Sequence, residues 1–234
     1  MLRPGMSVLD VGCGTGAISA GIAGAVGPDG QVVGIDRDEG LVDLARREHG
    51  TLPNLRFELG DVTTMDYRAQ FDVVTAARTL QWIARPEIAL AKIRDAARPG
   101  GMIVVLDYSH VKNQWKPEAP PAFQHFYQAF LAWRQANHWD NRMADHLPTL
   151  FQAAGLVETE SHIQDEIVER GDADFAERSA LWAEVIERTG EQLVKAQCCT
   201  QSQLQEAHET YTAWVRTEFL QQSLWMRTVT GRVP

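Results

Sequence analysis

Three aspartates occupy matching places in the first 61 residues of the chain. Asp10 lies inside a short apolar run, Ser7 to Val11, Asp36 follows the run Gln31 to Ile35, and Asp61 follows Leu55 to Leu59 and Gly60. A carboxylate at the end of a strand is an acceptor for several donors at once. At Asp36 it suits the two hydroxyls of a ribose. At Asp61 it suits the exocyclic amine of adenine, with the Val62 N–H donating to a ring nitrogen, and at Asp10 it suits an ammonium or ordered water. Gly12, Gly14 and Gly16 follow the first run, and Ala17 completes a G-x-G-x-x-G/A pattern. Glycine permits a sharp turn and close approach of a ligand to the backbone, and a helix start offers free N–H donors. Each aspartate alone is more often a helix cap or loop residue, and the glycine turn alone is a weak signal. All three acids at successive strand ends beside one glycine turn make the arrangement in which doubly wound sheets bind ligands.

The elements that must position these residues alternate between strand-like and helix-like patterns, as in a parallel sheet covered by helices. Strands are expected at Ser7 to Val11, Gln31 to Ile35, Leu55 to Leu59, Phe71 to Ala76 and Met102 to Asp107. Helices are expected at Thr15 to Val26, Glu39 to His49 and Pro86 to Ala97, the last with proline in its first turn. The second half predicts a proline-rich loop from Trp115 to Pro121, helices at Ala122 to Asn137, Leu147 to Ala154, Asp174 to Arg188 and Gln201 to Gln221, and strands at Val157 to Val168 and Ser223 to Gly231. One domain is expected, with helical additions near residues 112–145 and 171–221.

Composition narrows the function. The chain has 234 residues, 44% of them hydrophobic and 23% charged, which excludes a disordered or fibrous protein. A net charge of −9 repels phosphate backbones and argues against a nucleic-acid partner. No apolar run is long enough to span a bilayer and no signal-peptide layout opens the chain, so no membrane insertion and a cytoplasmic location are expected. Cys13 and the adjacent Cys198 and Cys199 cannot form a disulfide framework or a four-ligand zinc site, in keeping with a reducing compartment and no bound metal.

With VLDVGCGTG (residues 8–16), VVGIDRDEGLVDLAR (32–46), FELGDVTTM (57–65), FDVVTAARTLQWI (71–83) and ARPGGMIVVLD (97–107) in this order, the sequence resembles the class I S-adenosylmethionine-dependent methyltransferases. It is most similar to their broad small-molecule group, which includes quinone-pathway enzymes. The resemblance implies a Rossmann-like α/β fold with seven strands, the last antiparallel, and S-adenosyl-L-methionine as cofactor. It places Gly12, Cys13, Gly14 and Gly16 against the methionine moiety, Asp36 and Arg37 at the ribose and adenine, and Asp61 and Val62 at the adenine edge. Ala77 and Arg78 would face the cofactor's amino-acid end, with Asp10 beside the loop. Few residues precede the glycine motif, where the family usually carries a covering helix. The later insertions are therefore expected to form the lid, or the chain to be a truncated form. Arg37 stands where an apolar residue often packs on adenine, and its guanidinium can stack there instead.

Methyl transfer from a sulfonium is mainly a positioning task, with a base needed when the acceptor is a hydroxyl or a protonated amine. Near the ends of the fourth and fifth strands stand Gln81, Trp82, Tyr108 and His110, of which His110 is the candidate base. His125, His138, Trp139, Asp140 and Arg142 are candidates to line an acceptor pocket from the first insertion. The tryptophans read mainly as core or lid packing, with an aromatic wall facing the sulfonium open for one of them. Thr75 to Thr79 (TAART) after the fourth strand is unlike the Asp-Pro-Pro-Tyr segment of amino-methylating DNA enzymes, and no Pro-Cys pair is present for covalent pyrimidine chemistry. The partner expected is a small-molecule methyl acceptor. Two other readings stay open: an NAD-dependent oxidoreductase using the same glycine turn, and a non-catalytic S-adenosylmethionine-binding module.

Overall fold

The computed structural model describes residues 2–234. In chain order the elements are β1 (Ser7–Val11), α1 (Ala17–Val26), β2 (Gln31–Asp36), α2 (Glu39–His49), β3 (Leu55–Leu59), β4 (Phe71–Ala77), α3 (Pro86–Ala96), β5 (Ala97–Tyr108), β6 (Gln114–Lys116), α4 (Pro121–Ala136), α5 (Met143–Ala153), β7 (Val157–Ile163), β8 (Glu166–Glu169), α6 (Phe175–Ser179), α7 (Leu181–Lys195), α8 (Gln201–Thr217), β9 (Gln221–Leu224) and β10 (Met226–Arg232). The described residues form two compact units, 2–107, 143–163 and 227–234 in the first and 108–142 and 164–226 in the second.

The first unit is built on a seven-stranded sheet in the order β3-β2-β1-β4-β5-β10-β7. Strands β1 to β5 pair in parallel, while β10, the last strand of the chain, pairs antiparallel with β7. This is the Rossmann-like α/β fold. Period-two alternation sends Val8, Val32 and Val73 to one face, against Ile22, Ala23 and Val26 of α1 and Val42 and Ala45 of α2. Leu9, Val11, Val33, Ile35, Val74 and Val105 face the other side, against Leu90 and Ile93 of α3 and Met143, Leu147 and Phe151 of α5. Both faces are thus covered, which explains why the strands read as continuous apolar runs. Local signals fix the helix starts: the Asp38 carboxylate accepts from the Leu41 N–H at 3.1 Å to cap α2, and Pro86 opens α3. Helix α5 begins before its expected start at Leu147 and runs through Pro148, held by Met143, Ala144, Leu147 and Phe151, all fully buried.

The second unit has its own aromatic core and a three-stranded sheet, β6-β9-β8. Phe123 lies 4.6 Å from Tyr211 between ring centres, and Trp182 lies 4.9 Å from Tyr127. Here the sequence expectations needed four corrections. The strand expected over residues 157–168 is two strands, β7 in the large sheet and β8 in the small one. The terminal strand likewise divides into β9 and β10. Each junction carries only a short interruption of the alternation, Gln164-Asp165-Glu166 in one and Leu224-Trp225-Met226 in the other, which the expected strands ran through. The breaks are held by distant side chains: Asn113 Oδ1 accepts from the Trp225 N–H at 2.9 Å and Asp165 Oδ1 from the Met226 N–H at 3.1 Å. The Trp115 loop contains β6, which pairs with β9. The helix expected to end at Arg188 divides into α6 and α7, and α7 continues through Gly190 to Lys195, because α8 packs so close there that a Cβ at Gly190 would meet Leu204 Cδ1 at 2.8 Å. Among the described residues, no helix is long and apolar enough to cross a membrane.

Candidate active site

Asp10, Asp36 and Asp61 stand in or just beyond β1, β2 and β3, which are neighbours in the sheet, and Ala77 and Arg78 end β4 on the other side of β1. The chain reverses its strand order between β1 and β4, the point where open α/β sheets leave a crevice beyond their carboxyl ends. All the sequence-predicted cofactor residues therefore gather on one rim of the first unit. His110 does not belong to that unit; it lies two residues past β5, in the second.

The glycine loop is shaped by what it must avoid. Gly12 has φ +70°, and a Cβ there would sit 2.3 Å from Thr79 Oγ1. That hydroxyl donates to the carbonyls of Val11 (3.2 Å) and Ala77 (3.0 Å), tying β1 to the end of β4. Gly12 and Cys13 both donate to the Ile35 carbonyl, at 2.8 and 3.0 Å, which holds the turn against β2. A Gly12→Ala variant is expected to lose at least about 2 kcal/mol, since a left-handed residue with a side chain costs about 1–2 kcal/mol before any clash. Adding Thr79→Ala should recover the steric part but not the backbone part, as read from urea unfolding midpoints. At Gly14, by contrast, φ is +54° and nothing lies within 4 Å of a Cβ, so that side of the loop is open.

Asp36 is the acceptor around which the loop closes. Its Oδ2 accepts from the Gly14 N–H at 2.9 Å and its Oδ1 from the Asp38 N–H at 3.0 Å. Each oxygen retains acceptor capacity for a further donor. Asp10 is buried on the α1 face of β1, where the Ser19 hydroxyl donates to it at 2.5 Å. Burial, with the Asp36 charge adding to it, pushes the Asp10 carboxyl up from 3.8 to about 6 against the opposing effect of Ser19. Burial likewise raises the Cys13 thiol to about 12, so it stays protonated and is no nucleophile at neutral pH.

Asp61 is exposed and its Oδ1 accepts from both the N–H and the hydroxyl of Thr63, at 2.7 Å each. These bonds, the hydroxyl's first, together with the positive charge of Arg37 hold its carboxyl below the ordinary carboxylate value despite some burial. Arg37 and Asp61 thus act on each other across the ends of β2 and β3. The Val62 side chain is buried in the core, and its N–H meets no backbone acceptor among the described residues.

The sequence reading missed three contributors. Ser19 and Thr79 are signalled only by contacts that fold creates. Leu59 breaks the burial alternation of β3: it is 55% exposed beside Gly60 and Asp61, an apolar surface beside the Arg37–Asp61 pair.

The pattern of the methyltransferase-domain family matches residues 2–169, more than two thirds of the chain. The chain belongs to the class I S-adenosylmethionine-dependent methyltransferases. A demethylmenaquinone methyltransferase of Staphylococcus aureus is 26% identical over 175 residues, covering 67% of this chain and 70% of that one. An uncharacterised protein of transposon TN4556 from Streptomyces fradiae is 43% identical over 104 residues; the match takes in 44% of this chain but only 30% of that protein's length. Among solved structures, a candidate methyltransferase from Bacillus halodurans C-125 shares the fold at TM-score 0.65, with 19% identity, 100% of this chain and 94% of that chain covered. Phosphoethanolamine N-methyltransferase 2 of Haemonchus contortus, in complex with S-adenosyl-L-methionine, shares it at 0.62, with 17% identity, 100% of this chain and 50% of that chain covered.

S-adenosylmethionine is the cofactor of this methyltransferase. The residues of the rim fit it: an open loop at Gly14, two-sided acceptor capacity at Asp36, and an exposed carboxylate beside a backbone donor at Asp61 and Val62. Among the described residues, no group of three or more His, Cys, Asp or Glu is disposed to hold a metal ion.

In the second unit His110 is buried, its ring stacked on Tyr108 at 5.3 Å and edge-on to Phe130 at 5.9 Å. Its carbonyl accepts from the Tyr127 hydroxyl at 2.6 Å. Burial, and after it the charge of Arg134, holds its imidazole well below the ordinary value, so it is neutral at pH 7. Asp107, at the end of β5, is fully buried and accepts from the Gln81 N–H at 3.1 Å, capping a short 3₁₀ turn in the first unit. His125 lies instead along a separate recess with Cys198 and Cys199.

Proposed function

We propose that this methyltransferase moves a methyl group from S-adenosylmethionine to an O, N or C atom of a small molecule. The Asp36 carboxylate supports this reading above all: it is held by the glycine loop on one side and by the start of α2 on the other, with capacity left for a pair of ribose hydroxyls. Bound S-adenosylmethionine supplies a methyl group activated by a positively charged sulfur. The chain's own work is to place the reacting partners. Asp36 and Arg37 hold the ribose and adenine, Asp61 and the Val62 N–H read the purine edge, and Asp10 together with Gly12, Cys13, Gly14, Gly16, Ala77 and Arg78 receives the methionine portion. The likeness to a demethylmenaquinone methyltransferase, weighed with the aromatic interior of the second unit, favours an apolar ring-bearing acceptor. The insertions at 112–145 and 171–221 supply its surroundings.

His110 takes the acceptor's proton. Its depressed basicity keeps it unprotonated through the neutral range, the state a general base requires. A thermal-shift panel tests the cofactor: S-adenosylmethionine and S-adenosylhomocysteine should raise the melting temperature and NAD should not. Stabilisation by NAD alone would favour an oxidoreductase. His110→Ala should lower kcat by about a hundredfold or more with S-adenosylhomocysteine affinity unchanged, in keeping with the 10²–10⁴ range for acid–base groups. The wild-type rate should stay flat from pH 7 to 9 and fall only toward acid. A rate limb near pH 7, or normal turnover in the variant, removes His110 from the role.

A further inference from the structure

One recess of the second unit contains none of the residues assigned above to the cofactor or to proton transfer. Between α6, α7 and α8 lies a recess of about 300 Å³, the low end of the range for small-molecule sites. Ala180 and Ala183 leave it hollow, and Phe175, Tyr211 and Val215 give it apolar walls. No acidic residue lines it, although the chain carries 31.

Two guanidinium groups border it instead. Arg170 donates to the carbonyls of Phe219 (2.6 Å) and Val215 (2.9 Å) beyond and at the end of α8, and its guanidinium carbon lies 5.5 Å from the centre of the Phe175 ring. These bonds go to neutral carbonyls, and among the described residues no carboxylate pairs with Arg170. The acids nearby in sequence, Asp172 and Asp174, are engaged by Arg178 at 3.5 Å. Arg216 is exposed at the rim, and among the described residues its side chain has no carboxylate partner.

Thr212 supplies an independent sign. Thr210 and Thr217, on the same helix, each donate to the carbonyl four residues earlier, at 2.7 and 3.0 Å, as does Thr189 on α7 at 2.6 Å. Thr212 lines the recess, and its hydroxyl is buried and has no partner among the described residues. A buried hydroxyl left unpaired is costly, and a ligand oxygen placed there removes that cost.

We propose that this recess binds a small amphipathic carboxylate, its apolar body between Phe175, Ala183 and Val215 and its carboxylate held by Arg216 and Thr212. Attraction to Arg170 adds to the selection for an anion. None of these residues belongs to the cofactor rim, so this binding is tested separately from cofactor binding.

The test is calorimetric titration of octanoate into the full chain saturated with S-adenosylhomocysteine. One octanoate should bind per chain, and octylammonium should not bind. Arg216→Glu, at an exposed position that leaves the fold intact, should weaken octanoate at least about tenfold, the loss of one charge-assisted contact. Ala183→Phe should abolish binding by filling the recess, and Thr212→Val should weaken it several-fold. Absent octanoate binding, equal binding of octylammonium, or affinity unchanged in both Arg216→Glu and a folded Ala183→Phe protein overturns the proposal.

Discussion

Replacing Asp36 by alanine is expected to weaken S-adenosylhomocysteine binding by about a hundredfold or more. Two ribose hydroxyls donating to a carboxylate make two charge-assisted bonds, each worth about 1.5–3 kcal/mol, and every 1.4 kcal/mol is a factor of ten. The substitution also strands the N–H groups of Gly14 and Asp38, which the two oxygens now receive, so the loop loses its anchor as well. Asp36→Asn separates the two contributions: it keeps one acceptor oxygen and most of the shape, and should bind at an intermediate strength. Calorimetry on the folded variants gives the answer. Affinity within threefold of wild type for Asp36→Ala would remove Asp36 from the ribose.

Asp10→Asn is the second large effect, and it appears in the pH dependence of stability. The folded-state value of Asp10, about 6, lies above its unfolded value near 3.8. A carboxyl shifted in this direction contributes stability that is complete below pH 4 and is lost as the pH rises through 6, where ionisation forces a charge into the core. Two pH units correspond to about 3 kcal/mol, of which the asparagine variant loses none, because it keeps an acceptor for Ser19 and cannot ionise. The wild-type advantage over Asp10→Asn should therefore shrink by about 3 kcal/mol between pH 4 and 7.5 in urea unfolding without cofactor. S-adenosylhomocysteine should flatten that slope, since an ammonium beside Asp10 favours the ionised form. Parallel stability curves for the two proteins would refute the buried titration, and a slope indifferent to the ligand would refute the ammonium contact.

Both arguments rest on residues legible before any coordinates. The three acids, the glycine turn and the first five strands are encoded locally: apolar runs of strand length, each ending at glycine or a polar residue. The structure places those strands within a residue or so of their expected bounds, apart from β5, which starts five residues early at Ala97 because Ala97 pairs with Phe71 of β4 and Gly100 and Gly101 exchange backbone hydrogen bonds with Val233, just past β10. Ser19, Thr79 and Leu59 were invisible because nothing in their neighbourhood of sequence marks them. Each matters through a partner brought in from another strand or helix, or through the failure of a neighbour to cover it.

Local sequence alone determined which residue types stand at the rim, since a carboxylate at a strand end and a glycine at a left-handed turn are local requirements on residue type. It also determined the family. Tertiary structure alone decided where two apparently continuous strands break, as at Trp225, where Asn113, 112 residues away, takes the backbone N–H and turns one alternating run into strands of two different sheets. It alone decided that His110 is neutral among aromatic rings and that Thr212 lines a hollow with no carboxylate in its wall. Burial and the company of distant charges are properties of packing, and no short stretch of chain encodes its own surroundings.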